Sequence, residues 1–471
     1  MHDQKTGGAG GTRTHDRRKH RRNHDVHTVG TVPHASSRCH PVPVDTPSIH
    51  QPRQRRFTDS DDPGPNEDPE QLRLFHRWRA ARSPSSVVHL DSAGAARPSR
   101  ATIAAEAAYL ERESALGAYA AEVEAGSGLH ATRARLVSLM GPGLDADDLS
   151  FHHSASAAFA SLLMAWRLPA GARIGVVPSE YGSNMLVLAA RALRTAVSLV
   201  DLPVDETGVI DVETLDRAGV ACADAPGRIG LADLDLVVFP QVPSQRGIVQ
   251  PAAAIGARCA AEGVPLVLDV AQSLGQVEVR QTAASAYIGT SRKWLCGPRG
   301  AGFLAVRKGS VDLLDIAVPS LHSARFDRND RPVPLPGLAR LGIGEAATVS
   351  RIGLGQAVTE LTDSGPSLVF ARIARLAGQG RRLLDGAGGW RVREDPDSPC
   401  GIITMQPPPG TDPVAVRDRL YREDRVLTSA IPVERSRDLT GPVLRASAHV
   451  YTDPAEFERL AMGLERIAYD R

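Results

Sequence analysis

The sequence predicts an α/β protein, with a mainly parallel sheet covered by helices on both faces and a smaller α+β unit at the C-terminal end. Three observations carry that prediction. Strand-like apolar runs alternate with helical stretches between about Val87 and Val306, the pattern of strand–helix–strand units with a parallel sheet. After Val306 the alternation loosens into long helices and short strands. Finally, Ser154, Tyr181, Ser244, Asp269 and Lys293 all fall just after expected strands, and ligands of such sheets sit at the carboxyl ends of strands.

Composition narrows the class. The chain has 471 residues, 42% hydrophobic and 23% charged, which suits a globular protein of two or three domains. Residues 1–56 carry 11 Lys/Arg against 4 Asp/Glu, leaving 44 against 50 in the remainder. The body is thus mildly acidic, which argues against nucleic acid as its main partner. Cys39, Cys222, Cys259, Cys296 and Cys400 are scattered, so neither a disulfide framework nor a zinc site is expected, and no metal. A reducing cytoplasm fits. No apolar run reaches the ~18 residues of a membrane span, and the N-terminus lacks the apolar stretch of a signal peptide.

In order, residues 1–70 read as a disordered basic, histidine-rich extension, holding eight of the 15 histidines before residue 51. They lack fixed metal-ligand spacing, so a flexible tail or an unused upstream start is the simpler reading. A large domain with an N-terminal arm is expected over 71–335, and a linker helix with a small α+β domain over 336–471. QLRLFHRWRAAR has helical apolar spacing. Val87 to Ser99 is a short strand and turn, and a helix from about Ser99 to Ala125 starts on Ser99 as N-cap. A second helix covers Ser127 to Gly141.

Asp148 to Leu168 reads as strand, polar turn and helix. Ser154, Ala155 and Ser156 place N–H groups and hydroxyls at a positive helix end, an anion site suited to phosphate. On that stretch alone an ordinary N-cap explains the serines as well. Strand–turn–helix repeats from Arg173 to Leu193, with another strand over Thr195 to Asp205. Buried strands follow in Asp233 to Pro251 and in Val264 to Gly275, the latter ending in Asp269. Lys293 sits in a polar turn before the strand Phe303 to Val306, flanked by Arg292 and Arg299, with Trp294 beside it. A lysine is nucleophilic only when neutral, which a desolvated, cation-rich setting favours. Arg340 to Leu361 opens another helix, and Gly441 to Thr452 is a strand containing Arg445.

Taken together, SASA (154–157), SEYGS (179–183), VPSQRGIVQP (242–251), LDVAQSLG (268–275), GTSRKWLCGPRG (289–300) and LRASAHVYTD (444–453) resemble the class V aminotransferase superfamily of pyridoxal phosphate (PLP) enzymes. The resemblance covers roughly residues 85–471. It implies fold type I, with a seven-stranded large domain. It assigns Ser154, Ala155 and Ser156 to the phosphate turn and Tyr181 to stacking on the pyridine ring. Ser244 and Gln272 fall near the cofactor's phenolic oxygen, and Asp269 at the ring nitrogen. Lys293 is the Schiff-base lysine, Thr290 a phosphate-binding hydroxyl, Arg292 stands where histidine is usual, and Arg445 holds the substrate carboxylate. It further implies a homodimer with shared active sites, to which the segment Glu345 to Ser350 contributes. Glu345 or Ala347 stands near the position where a phosphate-binding threonine is usual, with Thr348 as the substitute.

HLDSAGAARPS, Ala115 to Gly126, EYG and SRKWLCGPRG resemble the hercynylcysteine sulfoxide lyases of ergothioneine biosynthesis. This implies β-elimination from a cysteine sulfoxide, with Lys293 as base, Asp269 supporting the ring, and Tyr181 as a candidate acid or base near the leaving group. Among residues able to meet a trimethylammonium group, Trp294 and Tyr119 are the substrate-binding candidates. A cysteine desulfurase is disfavoured because no cysteine occurs between Gly401 and Arg471. Another lyase, decarboxylase or epimerase of the superfamily stays open, as does a PLP-fold binding or regulatory protein.

Overall fold

The computed structural model describes residues 68–222, 227–316, 318–342 and 344–470. The expected N-terminal extension, apart from its last three residues, and Cys39 lie outside them.

Seven strands build the central sheet. They are β1 (Leu149–His152), β2 (Arg173–Val176), β3 (Ser198–Asp201), β4 (Leu236–Pro240), β5 (Leu266–Asp269), β6 (Ala286–Thr290) and β7 (Gly302–Val306). Their order across the sheet is β1-β7-β6-β5-β4-β2-β3. From β6 to β3 every pairing is parallel, while β7 is antiparallel to both β6 and β1. Consequently β1 runs in the same direction as β6, and its carboxyl end reaches the same edge.

Alternation along the strands explains the helices on both faces. In β4, Val237 and Phe239 join one core, while Leu236 and Val238 join the other. In β7 the same split separates Phe303 and Ala305 from Leu304 and Val306. Successive side chains of a strand point to opposite faces, so strands buried on both faces read as unbroken apolar runs.

A second, four-stranded antiparallel sheet runs in the order Arg391–Val392, Ile402–Gln406, Val443–Ser447, Ser429–Ile431. Its buried face, including Ile403, Met405, Leu444 and Ala446, packs with Phe457 and Leu460 of the helix Pro454–Tyr469. Near the start of the described chain, Val88–His89 pairs in parallel with Val426–Leu427, so an early segment is fixed to a late one.

Two expected elements differ. The helix expected over Ser99 to Ala125 is broken: Ser99 accepts from the Thr102 N–H as N-cap, but the helix ends at Leu116 and resumes at Ala118. Gly117 between them has φ +84°, which glycine tolerates and which no α-helix contains. The helix expected from Arg340 begins at Thr348 and runs to Asp363. Before it, Gly337–Leu341 form a 3₁₀ turn. Among the described residues no helix is long and apolar enough to cross a membrane.

Candidate active site

Strand order reverses beside β2, where the chain steps outward to β3 and returns as β4 on the other side, the switch point at which such sheets bind ligands. A cavity of about 200 Å³ opens along this carboxyl edge. The structure brings eleven of the expected residues to its lining: Ser154, Ala155, Ser156, Tyr181, Ser244, Asp269, Gln272, Thr290, Arg292, Lys293 and Arg445.

At one end lies the turn that opens the helix Ala155–Ala165. Ser154 caps it, its Oγ accepting from the Ala157 N–H at 3.1 Å. The N–H groups of Ala155 and Ser156 are left without intrahelical acceptors and, with the helix dipole, offer an anion site. Gly302, the register partner of both His152 and Thr290, lets this turn come close. A Cβ on Gly302 would lie 2.2 Å from the Ser154 carbonyl carbon and 2.6 Å from the Ala155 nitrogen.

At the other end Asp269, the last residue of β5, is 7% exposed. Its Oδ1 accepts from the Ala271 N–H at 2.8 Å and its Oδ2 from Asn184 Nδ2 at 2.9 Å. Burial raises its pKa, opposed by those donors and by Lys293. Asn184 also donates to Glu180 Oε1 at 3.0 Å, and the same oxygen accepts from the Tyr181 N–H at 2.7 Å. Glu180 is wholly buried, and desolvation and the nearby Asp269 push its pKa up to about 8. Neither Glu180 nor Asn184 was singled out from the sequence. No local signal pairs them: Glu180 precedes the N-cap Tyr181, while Asn184 lies inside the helix Gly182–Thr195.

Lys293 follows β6 at the cavity floor. Desolvation, then the charge of Arg292, lower its amine to about 7; Arg445 and Arg435 add to this, while Asp269 opposes. Arg292 donates to the Gly94 carbonyl oxygen. A substantial fraction of the Lys293 amine is therefore neutral at physiological pH, as a nucleophile requires.

Arg445 lies in Val443–Ser447, buried at 3% exposure. It donates to the Ser244 carbonyl oxygen at 2.6 Å, to Asp91 Oδ1 at 2.9 Å and to Ser429 Oγ at 3.3 Å, while its buried Nε has no partner among the described residues. Asp91 is a third residue the sequence reading missed. It reaches Arg445 only because the Val88–His89 pairing continues as a bridge between Asp91 and Ser447.

Two expected substrate-binding residues are not brought to the cavity. Trp294 is fully buried on the far side of its turn; its indole donates to Gln272 Oε1 at 2.8 Å and it stacks on His449. Gln272 in turn donates to the Ala93 carbonyl oxygen at 3.0 Å, so Trp294 fixes Gln272 and meets no ligand. Tyr119 is 78% exposed and lines a separate cavity of about 750 Å³ with Glu345, Ala347 and Thr348. The segment 345–350 also stays outside the central cavity. Among the described residues no cysteine lines that cavity. Burial pushes Cys296 up to about 12 and Cys400 up to about 11.

The donor set fits pyridoxal phosphate. The open N–H groups beside Thr290 suit a phosphate, and Tyr181 offers a ring face. Asp269 is a desolvated carboxylate held by two neutral donors, and a pyridinium N–H would offset that burial. Ser154, Ala155, Ser156 and Thr290 would hold the phosphate, Asp269 the ring nitrogen and Lys293 the aldehyde carbon.

Comparison with known proteins agrees. Residues 88–460 match the family model described as aminotransferase class-V. The chain is 37% identical over 393 residues to a probable hercynylcysteine sulfoxide lyase of Mycobacterium tuberculosis, covering 83% of this chain and 93% of that protein. It is 30% identical over 244 residues to isopenicillin N epimerase of Streptomyces clavuligerus, 49% of this chain and 60% of the epimerase. Among solved structures, a cysteine desulfurase of Escherichia coli superposes with a TM-score of 0.73 at 19% identity, covering 84% of this chain and 98% of the other. At that identity the likeness speaks to the fold.

Proposed function

This chain belongs to the aminotransferase class-V family, a PLP enzyme of fold type I, and on that premise we propose that it is a carbon–sulfur lyase cleaving hercynylcysteine sulfoxide. The products are pyruvate, ammonia and the sulfenic acid of ergothioneine. The observation that carries a lyase over a persulfide-forming desulfurase is the cavity's composition: among the described residues no thiol borders it. The named M. tuberculosis relative supports the substrate.

Bound PLP supplies an electron sink for charge developing at the substrate Cα. The protein's residues do the rest. Arg445, held by Asp91 and the Ser244 carbonyl, orients the α-carboxylate. Lys293 takes the Cα proton at Nζ, its lowered pKa leaving the amine able to accept it. Asp269, aimed by Asn184 and the Ala271 N–H, keeps negative charge at the ring nitrogen. Tyr181 lines the cavity and would cover the ring face, with its phenol the candidate donor of a proton to the oxygen of the departing sulfenate. The Cβ–S bond then breaks, the sulfur leaves as sulfenic acid, and the released enamine hydrolyses to pyruvate and ammonia. Two thiols reduce the sulfenic acid, forming a disulfide and water. A thiol-rich cytoplasm suits that last step. We further take the enzyme to be a homodimer in which the segment 345–350 serves the partner's site.

The test is to incubate the PLP-loaded enzyme with hercynylcysteine sulfoxide and a thiol, following pyruvate and the thione. Pyruvate and thione should form in equal amounts. Lys293→Ala should lose turnover together with the visible absorption of the lysine-bound cofactor. No pyruvate from the loaded wild type would overturn the assignment. Inversion at Cα without pyruvate would instead favour the alternative, an epimerase acting on a cysteine-like amino acid.

A further inference from the structure

The active-site cavity does not end at the catalytic groups. A second cavity, of about 840 Å³, adjoins it, and the two share only Tyr181 and Arg435. The outer cavity is largely apolar on its walls, through Met185, Leu186, Pro432, Val433 and Leu439. Arg435 stands at the junction, its guanidinium carbon 5.6 Å from the centre of the Tyr181 ring.

The turn that carries Arg435 is built onto the sheet. The 3₁₀ turn Val433–Arg435 presses on the start of the helix after Tyr181. A Cβ on Gly182 would lie 2.8 Å from the Glu434 carbonyl oxygen and 3.0 Å from that of Arg435. The three residues that follow are each engaged. Ser436 Oγ donates to the Pro178 carbonyl oxygen at 3.1 Å. Arg437 pairs with Asp201. Asp438 accepts from Gln245 Nε2 at 2.9 Å and faces Arg246 at 3.6 Å. The arginines of the inner cavity are engaged as well, Arg445 by Asp91 and Arg292 by the Gly94 carbonyl. Arg435 is the exception: among the described residues its guanidinium has no hydrogen bond and no ion pair, only the ring face of Tyr181.

A half-buried guanidinium held by its backbone, stacked on an aromatic ring and left without an acceptor, is suited to a planar anion. Arg445 already provides for the α-carboxylate. A substituent on the substrate's sulfur leaves Cβ on the side away from that carboxylate, and the exit past Tyr181 leads to Arg435. We propose that Arg435 is a specificity residue that binds a second carboxylate, carried by the sulfur substituent where it extends towards the outer cavity. This deepens the lyase reading and rests on it for the position of the sulfur.

The test uses two ligands that differ in that carboxylate, S-(2-carboxyethyl)cysteine and S-propylcysteine, titrated against the PLP-loaded enzyme by the change in cofactor absorbance. Both are thioethers, so binding is read without requiring elimination. The wild type should bind the carboxyethyl compound more tightly by about 10- to 100-fold, the range of a hydrogen bond between charged groups. Arg435→Met should bring the ratio of the two dissociation constants close to one, through loss of affinity for the carboxyethyl compound. Arg435→Lys, which keeps the charge without the planar fork, should fall between. A wild type with no preference overturns the proposal. So does an Arg435→Met enzyme that weakens both ligands equally, which marks an α-carboxylate contact, or one that no longer holds PLP, which marks a cofactor anchor. If the preference holds but hercynylcysteine sulfoxide yields no pyruvate, the lyase reading fails and the carboxylate subsite stands.

Discussion

Glu180 and Asp269 are two buried carboxyl groups joined through one amide, Asn184. Their environments separate them. Asp269 receives a backbone N–H and faces Lys293, while Glu180 keeps one oxygen, Oε2, without a partner among the described residues. Glu180 is therefore protonated at neutral pH, with its pKa raised to about 8. In the folded state it binds one more proton than in the unfolded chain between its ordinary value of 4.5 and about 8. Its contribution to stability is full below that window and falls as pH rises through it. The cofactor-free wild type should accordingly lose more of its melting temperature between pH 5 and pH 8 than Glu180→Gln, measured by scanning calorimetry. An equal loss in both proteins would show that Glu180 is ionised throughout. Sequence reading found Asp269 and Lys293 because each closes a strand-like run, and strand ends are visible as the point where apolar residues give way. Glu180 and Asn184 escaped because nothing in SEYGSN shows that both turn inward. Trp294 misled by adjacency to Lys293: the turn sends its carbonyl against Gly275, where an added Cβ would lie 2.6 Å from the oxygen, and its indole into the core.

At the scale of elements, the phosphate turn depends on the contact between two backbones. The helix Ala155–Ala165 can start where it does only because β7 begins with a glycine. Gly302→Ala would place a methyl group within 2.2 Å of the Ser154 carbonyl carbon, with backbone on both sides and no flexible atom to yield. The expected cost is ~1–3 kcal/mol of stability, together with weaker PLP retention as the Ala155 and Ser156 N–H groups move. Denaturant unfolding and PLP release during dialysis would measure the two effects, and unchanged retention would show that this turn does not hold the phosphate. The strands and this turn were legible because each strand is an apolar run bounded by polar residues. The break at Gly117 was not, since a single glycine within a helical stretch is often tolerated; here its positive φ decides the matter.

For the whole molecule, the proposed grip on the substrate carboxylate joins residues 354 positions apart, Asp91 and Arg445. No local pattern announces such a pair, which is why the role of Arg445 came only with the family resemblance and Asp91 did not come at all. Asp91→Asn keeps the shape but leaves a buried guanidinium without its counter-charge. Breaking a buried pair costs ~3–5 kcal/mol, so this variant should melt at lower temperature. Its KM for the amino-acid substrate should rise by more than its kcat falls, since Arg445 would be less firmly aimed. Steady-state kinetics on the cysteine sulfoxide would show this, and an unchanged KM would remove Asp91 from the carboxylate site.

The pairing of Val88–His89 with Val426–Leu427 also sets a schedule for synthesis. The first of these segments leaves the ribosome long before its partner exists. At translation rates of about 5–20 residues per second, the interval is on the order of tens of seconds. Throughout it the early strand has bare hydrogen-bonding edges and Asp91 has no arginine to meet. The contact between Asp91 and Arg445, the proposed carboxylate grip, can form only once the strand Val443–Ser447 has been made. Of the described elements only the helix Pro454–Tyr469 comes after that strand, so the pairing of Asp91 with Arg445 is among the last contacts the growing chain can make.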